Sequence, residues 1–143
     1  MFRSSLYIRG RDITAERIAS EVRLIVDRFD PHFIVRHGVS SRTQIRFVVI
    51  HICDNDDTVI HLSQLHDFMD FFFNNCRNSS LLASQPWDSC TLVMTATNGH
   101  KYQNFVRTMK FEEDFVNVCA SNRVRIEVEV CPMGDESEDE SEE

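Results

Sequence analysis

The chain has 143 residues and a formal net charge of −8, and 42% of its residues are hydrophobic, as expected of a single globular domain. It contains no apolar run near the roughly 18 residues that a membrane helix needs, and no apolar block typical of a signal peptide. We therefore expect a cytoplasmic or nuclear protein without a membrane partner.

The negative charge is concentrated at the C-terminal end. Residues 134–143 hold seven acidic residues and no apolar side chain, so this segment cannot bury enough surface to offset its ordering entropy. The sequence predicts an α+β globular domain over residues 1–133 and a disordered acidic tail over residues 134–143. In the tail, Ser137 and Ser141 are followed by acidic residues, the context that acidophilic kinases prefer, and are candidate phosphorylation sites.

In the first half of the chain, apolar periodicity predicts a helix that ends at residue 29, between segments that alternate like strands. The segment 43–53 is apolar on both faces, which is typical of a central strand. After the polar turn 54–57, the β-branched residues that follow predict a hairpin partner. The predicted strands are residues 4–9, 32–36, 43–53 and 58–62.

In the second half, Ser63 is a candidate N-cap for a helix over residues 64–77, whose apolar residues recur at i, i+3 and i+4. Asn98-Gly99 is a strong hairpin signal. A third helix follows near residues 111–119, and Asn122 can close it. The remaining predicted strands are residues 90–97, 100–107 and 123–130. In total we expect about seven strands in a mostly antiparallel sheet, with about three helices largely on one face.

Five cysteines and six histidines form no metal motif in the sequence. His32/His37 and His61/His66 are each five residues apart, which on a helix places them about 140° from each other. No cysteine pair has C-x-x-C spacing, and the acidic turn at residues 54–57 lacks the glycine and glutamate of a calcium loop. We expect neither a metal nor a cofactor, and interpret the cysteines as buried thiols.

Nucleophilic catalysis needs an activated side chain with a base held within hydrogen-bond reach. The sequence contains no G-x-S-x-G motif, and its four glycines are not clustered into a phosphate-binding loop. No small-molecule substrate or catalytic residue is therefore expected. An enzyme with a site assembled from distant residues is the least favoured alternative.

Arginine is concentrated in the first 46 residues, which hold nine arginines against five acidic residues. Arginine makes planar contacts with carboxylates and is favoured at interfaces. Two of these arginines are expected to form ion pairs along the first helix, Arg17–Glu21 and Arg23–Asp27. The best candidates for contact with a partner protein, for which an acidic surface is one option, are Arg9, Arg11, Arg36 and Arg42.

The segment Leu6-Tyr7-Ile8-Arg9-Gly10, followed by a helix, resembles the first strand of an RNA-recognition motif, in which an aromatic residue stacks on a base. The resemblance implies nucleic-acid contacts at Tyr7 and Arg9. Residues 46–50 fall where the family's third strand would lie, but they lack the glycine and the second aromatic residue of that strand. The predicted later hairpin and third helix also depart from the family's order of elements. The favoured expectation is a non-enzymatic protein-interaction module, with RNA binding as the alternative.

Overall fold

The computed structural model describes residues 2–11, 14–55, 57–97 and 110–131. These residues form an α+β domain, which confirms the predicted class. In chain order the elements are β1 (Phe2–Gly10), α1 (Ala15–Phe29), β2 (Ile34–Val39), β3 (Arg46–Asn55), α2 (Thr58–Arg77), β4 (Ser89–Thr97), α3 (Glu113–Ser121) and β5 (Val124–Cys131).

The described strands form one mixed sheet in the order β2-β3-β1-β4-β5. β1 lies at the centre and is antiparallel to both β3 and β4, while β2 is antiparallel to β3. From β1 to β4 the chain follows the split β-α-β-β-α-β arrangement of ferredoxin-like folds. The prediction of about seven mostly antiparallel strands was therefore overstated: the described sheet has five strands, and one of its pairings is parallel.

One predicted strand, over residues 58–62, is instead the beginning of α2. The carboxylate of Asp57 accepts a hydrogen bond from the backbone N–H of Ile60 at 3.0 Å and caps the helix. Ser63, the predicted cap, lies within the helix. The predicted strand 32–36 is also shifted: β2 begins two residues later, at Ile34, and ends three residues later, at Val39.

The sheet departs from the predicted antiparallel pairing at its last strand, because β5 is parallel to β4. α3 lies between these two strands in the chain, and a crossover connection of this kind joins parallel neighbours. Asn122 ends α3 as predicted, since its backbone N–H bonds to the carbonyl oxygens of the last turn. The predicted hairpin at Asn98-Gly99, the strand 100–107 and the acidic tail with its serines lie outside the described residues.

A single apolar core lies between the sheet and the three helices. The predicted apolar face of α2 is confirmed: each of its six members is at most 2% exposed. They are Leu65, Phe68, Met69, Phe72, Phe73 and Cys76. None of the helices in the described ranges is long and apolar enough to cross a membrane.

Two arginine pairings were predicted along α1, and one is present. Arg23 lies 3.7 Å from Asp27, and its guanidinium also donates to the carbonyl oxygen of Val35 at 3.1 Å, which fastens α1 to β2. The predicted Arg17–Glu21 pair does not form. Glu21 instead accepts a hydrogen bond from the hydroxyl of Ser79 at 3.0 Å, so that it connects α1 to the end of α2.

Candidate ligand-binding face of the sheet

The sheet has one face packed against the described helices and a second face that none of them covers. On β1, Leu6 and Ile8 point into the core. Because successive side chains of a strand point to opposite faces, the alternate residues lie on the other side. We call this second side the open face; on β1 it consists of Arg3, Ser5, Tyr7 and Arg9.

Tyr7 lies at the centre of the open face. Its register neighbours are Val49 on β3 and Thr91 on β4, and the row continues to Arg36 on β2 and Arg125 on β5. An aromatic ring on the central strand is therefore flanked at both edges of the sheet by an arginine. This row runs perpendicular to the strands and is about 20 Å wide, since neighbouring strands lie about 4.8 Å apart.

Arg9 covers the ring of Tyr7. The guanidinium carbon lies 4.5 Å from the ring centroid, which is the geometry of a cation–π contact. Both side chains are half-buried. The contact presents a planar aromatic surface and a planar cation at the same point, and both are groups on which a nucleic-acid base can stack.

The floor around Tyr7 is closed. Phe47, Val49 and Thr91 are each at most 7% exposed although they lie on the open face. Beside them, the hydroxyl of Ser5 and Nδ1 of His51 share a hydrogen bond of 2.9 Å. These residues form a buried floor beneath the exposed side chains of the open face.

A concavity of about 710 Å³ lies on the open face. Its lining combines Tyr7 and Arg9 with Arg3 on β1, His51 on β3, and Glu127 and Glu129 on β5. Its volume falls within the range of sites that hold small ligands, about 300–1,000 Å³. The cations lie toward the centre of the sheet and the two carboxylates along the β5 edge.

Of the residues predicted from sequence, the structure brings three together on the open face: Tyr7, Arg9 and Arg36. The other two predicted arginines lie elsewhere. Arg11 follows β1, where its backbone N–H donates to the carboxylate of Asp88 at 3.1 Å, and Arg42 lies in the turn between β2 and β3. They are therefore not part of this site.

Sequence reasoning missed several members of the open face. The alternation of residues 123–130 groups Arg125, Glu127 and Glu129 on one side of a strand. No local sequence pattern shows which strands are neighbours in the sheet. The strand order alone unites the β5 residues with Tyr7. The residues missed are Arg3, His51, Arg125, Glu127 and Glu129.

A serine and a histidine also meet within the core. Oγ of Ser4 and Nε2 of His61 are 2.6 Å apart, and the ring of Phe2 lies 6.0 Å from that of His61. A hydroxyl bonded to an imidazole is the pairing used in nucleophilic catalysis. Here both side chains are at most 1% exposed, so no substrate can reach them, and the hydrogen bond connects β1 to α2.

Three cysteines on α2, β4 and α3 are free thiols buried in the core. Burial raises the pKa of Cys76 to about 12 and that of Cys119 to about 11. The pKa of Cys90 is raised further, by burial and by the other two thiols. Because the thiolate is the reactive form, these cysteines are inert near neutral pH.

A second concavity, of about 510 Å³, lies between α2 and the segment that leads into α3. Its walls are mainly apolar, with Val59 and Leu62 on one side and Phe111 and Phe115 on the other. Val59 is 77% exposed. We call this concavity the α2–α3 groove.

Neither concavity contains a metal-binding cluster: within the described ranges, no three His, Cys, Asp or Glu side chains are close enough together to hold an ion. Comparisons with protein-family models, with curated proteins and with solved structures found no match. The function must therefore be inferred from the geometry of the two surfaces.

Proposed function

We propose that this protein binds single-stranded RNA on the open face of its sheet. The observation that carries the proposal is the position of Tyr7, an aromatic residue at the centre of a sheet face that no described helix covers, with Arg9 against its ring. Proteins that bind single-stranded nucleic acid stack bases on such rings and hold the phosphates with surrounding cations.

The charge around Tyr7 supports the proposal. Arg3, Arg36 and Arg125 are exposed on the same face, at the edges of the sheet and near one end of β1. Arginine binds phosphate through its planar fork of donors. In the proposed complex a base takes the place of the Arg9 guanidinium on the ring, and Arg9 turns to a phosphate.

The topology supports it as well, by analogy. The first six elements, β1 to β4 with α1 and α2, follow the β-α-β-β-α-β order of sheet modules that stack bases on strand aromatics. The departures are α3 and β5, which extend the sheet without covering the open face. Val49 stands beside Tyr7, where a second aromatic would lie in those modules, so we propose one principal stacking site.

The proposal is tested by fluorescence anisotropy with a labelled single-stranded RNA, titrated at several salt concentrations. Reversing Arg9 and Arg36 together to glutamate is expected to weaken binding and to reduce the slope of log K against log salt by about 1–2. The matched control replaces Arg11 and Arg42 with glutamate. It makes the same change in net charge, but at positions outside the open face.

The two pairs of variants give different results only if the open face is the site. We expect the control pair to keep most of the affinity and the salt slope. Equal weakening by both pairs would show that only net charge matters, and the open face would then have no specific role. A wild-type protein that binds no single-stranded RNA at any salt concentration would refute the proposal.

The acidic tail is proposed to compete with RNA for the open face. β5 ends beside the row that holds Arg3, and the seven acids of the tail follow it in the chain. Deleting residues 134–143 should raise RNA affinity most at about 0.02 M salt, where the Debye length is about 20 Å. Phosphorylation of Ser137 and Ser141 should lower the affinity for RNA. Identical affinities for the full-length, tail-less and phosphorylated chains would exclude this role.

A second proposed function, binding of another protein, has its own observation. The α2–α3 groove exposes apolar side chains between two helices, and Lys110 at its rim offers a cation. Grooves of this kind accept the apolar face of an amphipathic helix. We propose that the groove binds such a helix, with an acidic residue of the partner against Lys110.

Selection from a displayed library of helical peptides tests this second function. The expected binders carry apolar residues at i, i+3 or i+4, and i+7, and lose binding to the Val59→Glu variant. Leu24→Glu is the control, because Leu24 is 62% exposed on α1, outside the groove. Selected peptides that bind the Val59→Glu protein as well as the wild type would count against the groove.

A further inference from the structure

β5 brings two carboxylates to the open face. Glu127 is the register neighbour of Val93 and Glu129 that of Thr95, and both line the same concavity as Tyr7 and Arg9. Both side chains are exposed, and neither forms an ion pair with any residue in the described ranges. Their hydrogen-bonding capacity is therefore available to a ligand in the concavity.

Two carboxylates in an RNA site have a restricted set of partners. They repel phosphates, so they must face another part of the ligand. An ionised carboxylate only accepts hydrogen bonds, and therefore needs donors on the base. Guanine presents two adjacent donors, N1–H and the 2-amino group, which match the two oxygens of one carboxylate. Uracil presents one N–H between two carbonyl oxygens, which the carboxylate would repel.

The distances agree with a base that reaches from the ring to Glu127. β5 lies two strand spacings from β1, and Glu127 and Glu129 lie two and four residues along β5 from Arg125, which shares the row of Tyr7. Their Cα atoms are therefore about 12 Å and about 17 Å from that of Tyr7. A purine stacked on Tyr7 and the inward-extended side chain of Glu127 together span the shorter distance. Val93 and Thr95 are the β4 neighbours of the two glutamates and carry no charge, while Arg125 lies beside Glu127 on the same face of β5.

We propose that Glu127, with Glu129 beside it on β5, reads the Watson–Crick edge of a guanine stacked on Tyr7, so that the site prefers guanine to uracil. This inference rests on the proposed RNA binding. It assigns the strand that the fold adds, β5, to base selection, while the arginines hold the backbone. In protein–nucleic acid complexes, base contacts specify the sequence and phosphate contacts position the chain. In this concavity the carboxylates are assigned to the base and the arginines to the phosphates.

The test compares labelled RNA octamers by fluorescence anisotropy: octauridine, and the same chain with one central guanosine, inosine, adenosine or cytidine. The guanosine octamer is expected to bind about 5- to 150-fold more tightly than octauridine, as for a bidentate base contact. Inosine lacks the 2-amino group and should lie between the two.

The double variant Glu127→Gln/Glu129→Gln should lose this preference while binding octauridine at least as tightly as the wild type, because two anions are removed. Glu112→Gln/Glu113→Gln, at the start of α3, is the control and should keep the preference. Equal wild-type binding of the guanosine octamer and octauridine, or a preference that survives in the double variant, would overturn the inference alone. Failure to bind every octamer would refute the RNA-binding function itself.

Discussion

Replacing Phe72 with alanine is expected to lower the free energy of unfolding by about 3–5 kcal/mol, the usual cost of removing a buried phenylalanine. Phe72 is fully buried, stacks on Phe68 at 5.5 Å and meets Phe73 edge-on at 5.0 Å. Since domains of this kind are stable by about 5–15 kcal/mol, the variant should be close to unfolding. Urea denaturation followed by circular dichroism measures the loss.

Phe71 provides the matched control for Phe72. It precedes Phe72 on α2 and contacts the ring of Phe29 at 5.2 Å, but it is only half-buried, so Phe71→Ala should cost clearly less. Val59→Ala, at an exposed site of the same helix, should change stability by no more than about 0.5 kcal/mol. A loss below about 1 kcal/mol at both Phe68 and Phe72 would contradict the assignment of this face to the core.

Tyr7→Ala is expected to raise the dissociation constant for single-stranded RNA by about 5- to 150-fold, because base stacking on an aromatic ring contributes about 1–3 kcal/mol. The ring is the central aromatic surface that we assign to the base. The measurement is the anisotropy titration, made at one fixed salt concentration.

Tyr7→Phe is the informative control, since it keeps the aromatic ring and removes only the hydroxyl. We expect it to bind RNA nearly as the wild type does. Tyr7 lies on the central strand, so the melting temperature of each variant must be compared with that of the wild type. A folded Tyr7→Ala protein with unchanged affinity would exclude stacking at this position.

The sequence predicted local elements well where one pattern decides the outcome. The apolar face of α2 follows from i, i+3 and i+4 spacing alone, and the structure buries every member of it. The pattern misled at residues 58–62, where β-branched Thr58, Val59 and Ile60 favour a strand. There the side chain of Asp57 caps a helix instead. The strand propensity of these residues is outweighed by this cap and by the packing of the rest of α2.

The site was less predictable because it depends on strand order. Tyr7 and Arg9 could be identified from a five-residue segment, and Arg36 from the surplus of arginine. Nothing local indicated that Arg36 would share a face with Tyr7 while Arg11 and Arg42 would not. The alternation of residues 123–130 groups Glu127 and Glu129 on one side of a strand, but the parallel pairing that carries them to the open face arises from a crossover of the chain.

The central position of β1 has a consequence for synthesis on the ribosome. Of the described strands, β1 is synthesised first, yet its neighbours end near residues 55 and 97, so at about 5–20 residues per second it waits seconds for both. During that time both edges of β1 lack their native partners and can pair with other chains. A chain truncated before β4 should therefore aggregate, whereas one that ends after Thr97 already holds β1 between both neighbours.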